Sequence, residues 1–384
     1  MLSAEAQKEV PVLTRRQSLQ QTLAAAASLA MLGPRPLTAA PDSIDASASL
    51  RAHAQRRGLR VGCAVAASDL RDPRFCQLLA AQASIVVAEN AMKFGALQAK
   101  PGTWEFADGD ALVAFAHAHK IAVRGHNFVW HENLPAWFAS TVTRENARQV
   151  LTTHIRTVAG HYKGKISCWD VVNEAIRIED GRPDGLRKSP WFELIGPEYL
   201  ELAYRTAHEA DPHAKLTYNE YGIEDESEAE TKKRAATLDL LKRLKAAGAP
   251  IHALGIQSHL PAAGATYGPG LRQLIAAAQA LGLEVYLTEM DVNDDAVDSD
   301  DTAERDRRIA QVYTDYLNVA LENRAVKSIL TWGLTDRNTW LNHIESHRKK
   351  RPNRSQRPLP FDENYAPVPA FFALRDAIDK APKR

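Results

Sequence analysis

Short apolar runs return along this chain about every thirty to fifty residues, and stretches with apolar positions at i, i+3 and i+4 lie between most of them. The runs predict strands near 61–66, 85–89, 122–130, 166–173, 215–219, 253–258, 284–289 and 328–333. The helical spacing predicts helices over 146–161, 198–210, 228–247, 271–281 and 303–323, with a last one near 371–380. Strand and helix in alternation imply a parallel sheet with right-handed crossovers, and eight repeats of the unit imply an α/β fold, a single (β/α)8 TIM barrel. In such a barrel the chemistry belongs at the C-terminal ends of the strands.

Polar and aromatic residues gather at those ends. Glu89, Asn90 and Lys93 follow the second run, His126, Asn127, Trp130 and His131 lie at the third, and Asn173 and Glu174 close the fourth. Asn219 and Glu220 follow the fifth, Gln257 and His259 the sixth, Glu289 and Asp291 the seventh, and Trp332 the eighth. Two of these are glutamates ending strongly apolar runs, WDVVNEA (169–175) and VYLTEMD (285–291). An ionised carboxylate is costly to desolvate unless it is paired or used, so two at one barrel mouth point to a catalytic pair. Paired carboxyls suit glycosidic bond cleavage: one protonates the poor leaving alkoxide, and the other attacks or stabilises the anomeric carbon. Their surroundings must push their pKa values apart. Glu174, in an apolar run with Trp169, is assigned the acid/base role. Glu289, kept ionised by a hydrogen bond from His259, is assigned the nucleophile role. Asn173 is placed to bond a sugar hydroxyl beside the reacting carbon.

Charge and composition narrow the partners. With 48 Lys+Arg against 47 Asp+Glu there is no general basic field, so neither nucleic acid nor an anionic membrane is expected as partner. A neutral substrate and a monomer are the expectation. The basic run HRKKR (347–351), continued by Arg354 and Arg357, reads as a solvated loop after the eighth strand, where it would border the groove and meet acidic substrate decorations. Cys63, Cys76 and Cys168 are odd in number and form no CxxC pair, so no metal or disulfide framework is indicated. Arg15-Arg16, the alanine-rich apolar stretch 23–32 and the small residues 38–40 resemble a twin-arginine export signal over 1–40, giving a periplasmic or extracellular protein. A lead-in over 41–58 and a barrel over 59–384 would follow.

The segments AENAMK (88–93), RGHNFVWHENLPAW (124–137), WDVVNEA (169–175), YNEYGIE (218–224), GIQSHL (255–260), LTEMDV (287–292), TWGLTDRNTWL (331–341) and PLPFDENYAPVPA (358–370) resemble, in order and spacing, those of glycoside hydrolase family 10. These are retaining endo-β-1,4-xylanases, acting on xylan or xylo-oligosaccharides without a cofactor. The resemblance implies Glu174 as acid/base and Glu289 as nucleophile, with His259 holding the nucleophile and Asp291 supporting His259. It implies that Glu89, Asn90, Lys93, His126, Trp130, Asn173 and Gln257 bond sugars on the non-reducing side, and that Trp332 and Trp340 form an aromatic platform and lid. The sequence departs from the pattern at Ala91, Phe94 and Gly95, where Glu, Trp and Asp are common, and at Glu132-Asn133, where Ser-Gln is typical. In the family that glutamine helps crowd out a hexose hydroxymethyl group. The shorter Asn133 would relax the preference for xylose over glucose. The alternatives are therefore a β-1,4-glucanase or cellobiosidase of relaxed specificity, or a non-catalytic carbohydrate-binding barrel.

Overall fold

A computed structural model describes residues 49–384. The expected export signal at 1–40 and most of the lead-in lie outside the described residues. Among the described residues nine strands follow in chain order: β1 (Arg60–Val65), β2 (Ile85–Ala88), β3 (Ala122–Val129), β4 (Cys168–Asn173), β5 (Lys215–Glu220), β6 (Ala253–Ile256), β7 (His259–Pro261), β8 (Glu284–Asn293) and β9 (Val326–Thr331). All their pairings are parallel. β6 pairs with β8 and β9 returns to β1, so eight of them close into a barrel. The (β/α)8 architecture read from the sequence is the one observed.

The ninth strand revises the expected boundaries. The sixth run, predicted to 258, leaves the barrel sheet at Ile256, and Ser258 adopts a left-handed φ of 66°. The chain then re-enters as β7, pairing His259 with Asp291 and Pro261 with Asn293. This extra partner explains why β8 runs on to Asn293 instead of stopping at Glu289. Backbone groups beyond Glu289 have a ladder to bond, so extension costs no unsatisfied donors.

The predicted helices are present with no end moved by more than three residues: Ala147–His161, Tyr199–Ala210, Glu228–Ala246, Pro269–Ala280, Thr302–Ala320 and Pro369–Lys380. Ser227 caps one by accepting the amide of Glu230, and Asp301 caps another by accepting that of Ala303. The helix Leu50–Arg57, within the expected lead-in, is capped by Ser49 and bonds to the last helix through His53 Nδ1 and Asp379 at 2.7 Å.

Inside the barrel, apolar packing gives way to a buried polar layer on β3, β4, β5 and β8. Arg124 and Asp170, each about 1% exposed in its side chain, form a bidentate pair, with Arg124 Nε 3.0 Å from Asp170 Oδ2. Asp170 Oδ2 also meets His126 Nδ1 at 2.9 Å. Gly125, between Arg124 and His126, has no room for a Cβ because the Trp169 ring of β4 occupies that space. A glycine there lets β3 and the indole pack in contact. Burying an ion pair is tolerated where each charge has its partner and further hydrogen bonds, and here the pair anchors His126 at the floor of the mouth.

Candidate active site

Glu174 directly follows β4 and Glu289 lies within β8, and three side chains separate and order them. Asn219, at the end of β5 and fully buried, donates through Nδ2 to Glu289 Oε1 at 2.7 Å and to Asn173 Oδ1 at 2.8 Å. Its Oδ1 accepts from Thr288 Oγ1 at 2.8 Å. Asn173 Nδ2 in turn donates to Glu174 Oε1 at 2.9 Å, and Gln257 Nε2 donates to the same oxygen at 3.0 Å. One amide network therefore runs from nucleophile to acid.

The other oxygen of Glu289 faces His259. Nε2 of His259 lies 3.3 Å from Glu289 Oε2, and Nδ1 lies 2.9 Å from Asp291 Oδ1. Ionised carboxylates only accept, so an imidazole between two of them must donate from both nitrogens and carry a proton on each. Burial works against that charge, but Asp291, closest and hydrogen-bonded, and then Glu289 raise the His259 pKa well above its ordinary value. Burial likewise opposes the charge of Glu289. It is outweighed by the bond from His259, the positive potential of His126 and His259 and the Asn219 bond, which together hold the carboxyl down at about 2. β8 has a register shift against β9 between Leu287 and Met290, which spans Thr288 and Glu289. Such irregularities re-aim side chains near active sites.

Glu174 is treated in the opposite way. It is 9% exposed, and burial first, then the charge of Glu220, raises its pKa; Gln257 and Trp130 pull it down only in part, and Glu289 adds to the rise. His131 Nδ1 lies 3.8 Å from Glu174 Oε2, and burial followed by Arg187, Arg177 and Lys233 pushes its pKa down to about 3, so it brings no positive charge near neutral pH. Glu174 also holds a left-handed φ of 58°, an unfavourable backbone state for a non-glycine residue. Its amide donates to Asn219 O at 2.9 Å and its carbonyl accepts from Arg187 Nε at 2.8 Å, clamping that geometry.

The remaining expected residues fall into two groups. Lys93 Nζ donates to Asn90 Oδ1 at 3.0 Å and stands 5.0 Å from the centre of the Trp130 ring and 5.8 Å from that of Trp332. Burial lowers its pKa, opposed by Glu289, Glu89 and Glu174. Asn90 Nδ2 donates to Glu89 Oε1 at 3.2 Å. Trp332 meets His126 and His259 edge-on, at 5.4 and 6.3 Å between ring centres, and Trp340 donates from Nε1 to Asp291 Oδ2 at 2.6 Å. Asn133 does not join them by any bond: it is exposed, with φ 53°, and its carbonyl accepts the Gly95 amide at 2.7 Å.

Three arginines of the basic loop are paired with carboxylates. Arg351 pairs with Asp298, Arg354 Nη1 lies 3.6 Å from Asp300, and Arg357 bonds both oxygens of Asp306 at 2.7 and 2.9 Å. The acids after β8 therefore match the loop only in part, and Lys349 and Lys350 of the same run are exposed. Asn219, Arg187, His131 and the Arg124–Asp170 pair are functional positions that the sequence reading did not assign. Arg124 and Asp170 carried a signal, since each interrupts an apolar strand and so demands a partner.

Known proteins match this arrangement. The model of Glycosyl hydrolase family 10 covers residues 49–377. The chain belongs to this family. It is 37% identical over 325 residues to the beta-1,4-xylanase of Dictyoglomus thermophilum, covering 82% of this chain and 87% of that one. It is 34% identical over 338 residues to endo-1,4-beta-xylanase A of Caldicellulosiruptor sp. (strain Rt8B.4), covering 83% of this chain but 46% of that protein, so the chain spans under half the length of that relative. The crystal structure of xylanase 10B from Thermotoga petrophila RKU-1 in complex with xylobiose superposes with a TM-score of 0.77 at 31% identity, covering 89% of this chain and 99% of that one. Among the described residues of this family 10 barrel, no helix is long and apolar enough to cross a membrane.

Proposed function

We propose that this family 10 hydrolase is a retaining endo-β-1,4-xylanase. The observation that carries the reading is the opposed setting of the two carboxyls: Glu289 held ionised at about 2 by His259 and Asn219, Glu174 raised by burial beside Glu220. In the first step a Glu289 oxygen attacks the anomeric carbon as the glycosidic bond breaks, and Glu174 gives its proton to the departing oxygen. In the second, Glu174 takes a proton from water as the water oxygen attacks the same carbon, and the bond to Glu289 breaks, freeing its carboxylate. Xylan as substrate is supported by the related xylanases and by the xylobiose bound to the Thermotoga petrophila enzyme. Release of reducing sugar from xylan by the wild type, lost in Glu289→Ala, supports the proposal; release by both, or by neither, refutes it.

A second reading, relaxed specificity toward glucose-based glycans, is favoured by Asn133. Its side chain is short and exposed, and Asn133 packs over Gly95, where a Cβ would stand 2.6 Å from the Asn133 carbonyl oxygen. Relative rates on aryl xylobioside and aryl cellobioside separate the two readings. Export by the twin-arginine route remains part of the proposal, supported by Arg15-Arg16 and the apolar stretch after it. Sequencing the N-terminus of the exported protein tests it: cleavage near Ala40 is expected.

A further inference from the structure

Glu174 directly follows β4 with its backbone left-handed, and the next two amides donate to side chains of β5. The Ala175 amide meets Tyr218 Oη at 3.1 Å, and the Ile176 amide meets Glu220 Oε2 at 3.1 Å. Tyr218 Oη donates to the same Glu220 oxygen, so hydroxyl and carboxylate form one clasp on the turn. Both residues are fully buried. A buried carboxylate needs a counter-charge, and Lys233 supplies it from the helix Glu228–Ala246, with Nζ 2.9 Å from Glu220 Oε1. Burial opposes the Lys233 charge, but Glu220 and then Tyr221 outweigh it and hold its pKa above the ordinary value. A second route reaches the same turn. Lys233 Nζ stands 3.4 Å from the centre of the Tyr221 ring, Tyr221 Oη accepts from Arg187 Nη2 at 3.2 Å, and Arg187 Nε donates to the Glu174 carbonyl at 2.8 Å.

We propose that Lys233 is a positioning residue for proton transfer from Glu174: its hold on Glu220 and Tyr221 fixes the turn from which the acid projects; the inference rests on the xylanase reading above. A left-handed backbone at a non-glycine residue persists only where its surroundings over-determine it. Here bonds from Tyr218, Glu220 and Arg187 do so, and the Lys233 ammonium stands at the outer end of both routes. Without the ammonium the Glu220 carboxylate is left buried and unpaired, and its rearrangement frees the Ile176 amide and the Tyr218 hydroxyl with it. A displacement of about 1 Å at a reacting group costs up to about a hundredfold in rate. The nucleophile is spared, because Glu289 takes its bonds from Asn219 and His259.

Comparing kcat/KM for phenyl and dinitrophenyl β-xylobiosides in Lys233→Met tests the role, since phenolate departs with help from the acid and dinitrophenolate departs without it. The variant should lose about tenfold or more on the phenyl substrate and about twofold or less on the dinitrophenyl one. A loss of packing alone would not sort the two leaving groups. Melting curves establish that the variant is folded; should it not fold, Lys233→Gln, which keeps a donor for Glu220 without the charge, should show the same contrast. Equal losses on both substrates, or no loss on either, in a folded variant overturn the positioning role, as does failure of both variants to fold. Wild-type turnover of neither substrate overturns the xylanase reading along with it, whereas wild-type turnover with a flat leaving-group response in the variant overturns the positioning role alone.

Discussion

Trp340 and Asp291 are joined by an indole N–H to carboxylate bond of 2.6 Å, and the other oxygen of Asp291 holds His259 at 2.9 Å. The aromatic lid is thereby wired to the group that keeps the nucleophile ionised. A residue that only stacked on a sugar would need no such bond.

Trp340→Phe keeps an aromatic face and removes the N–H. A hydrogen bond to a charged group contributes about 1.5–3 kcal/mol, and Trp340 is partly exposed, so kcat should fall by about tenfold, equivalent to ~1.4 kcal/mol. Steady-state kinetics on an aryl xylobioside check this. A rise in KM alone would show that the ring acts through stacking only.

The opposed carboxyls set the pH profile. Glu289, held at about 2, must be ionised, and Glu174, raised above its ordinary value, must be protonated. The kcat/KM profile should be a bell whose acid limb lies far below the usual carboxylate range and whose alkaline limb lies above it. Glu174→Gln should lower the rate on a substrate with a poor leaving group by about 10²–10⁴-fold, the usual worth of a general acid. The loss should shrink for an activated aryl leaving group.

The same shifts act on stability with opposite signs. Glu174 has a folded pKa above its unfolded value, so its contribution is present below the unfolded pKa and is lost as pH rises through the folded one. Glu289 has a depressed pKa, so its contribution is present above the unfolded value and is lost as pH falls toward about 2. Near neutral pH, Glu174→Gln should therefore raise the melting temperature and Glu289→Gln should lower it. Thermal melts of the two variants decide, and two shifts of the same sign would contradict the electrostatic account.

Much of this site was legible because carboxylates at the ends of apolar runs advertise themselves. Glu174 and Glu289 stand out against WDVVN and VYLT, and the alternation of strand and helix placed both at one mouth. Asn219 was visible only as a polar residue at a strand end, which a surface position would look like too. Its role depends on cross-strand distances to Asn173 and Glu289 that no local pattern encodes. β7 was hidden for a related reason: a strand of three residues has no period, and its partner lies some thirty positions later in β8. A charge run shows sign without showing neighbours: the acids that pair with Arg351 and Arg354 lie on a different loop.

Asn219→Ala should be the most damaging change outside the two carboxyls. It removes the donor to Glu289 and to Asn173 and one of two acceptors of the Thr288 hydroxyl, which keeps the Ile256 carbonyl at 3.2 Å, all buried. Leaving buried polar groups unpaired costs about 1–3 kcal/mol each, so both kcat and the melting temperature should fall. An unchanged kcat in a folded variant would remove Asn219 from the network. Asn219→Asp, which keeps an acceptor for Thr288 but sets a carboxylate against Glu289, should not restore activity.

Gly95 and Asn133 should behave as a unit. A Cβ at Gly95 would stand 2.6 Å from the Asn133 carbonyl oxygen and 3.0 Å from its side-chain Oδ1. Gly95→Asp alone should therefore displace the turn at 133 and alter the ratio of rates on aryl xylobioside and aryl cellobioside. Asn133→Gln alone should raise that ratio in favour of xylose. Additive effects of the two changes in a double-mutant cycle would show that the positions are independent.

In the proposed mechanism Glu289 forms a covalent glycosyl intermediate that Glu174 first creates and then resolves. The most direct measurement is the anomeric configuration of the first sugar released from xylo-oligosaccharide, followed by proton NMR before mutarotation. Two displacements at one carbon give the β-anomer; initial release of the α-anomer would mean a single displacement by water and would contradict a glycosyl intermediate on Glu289.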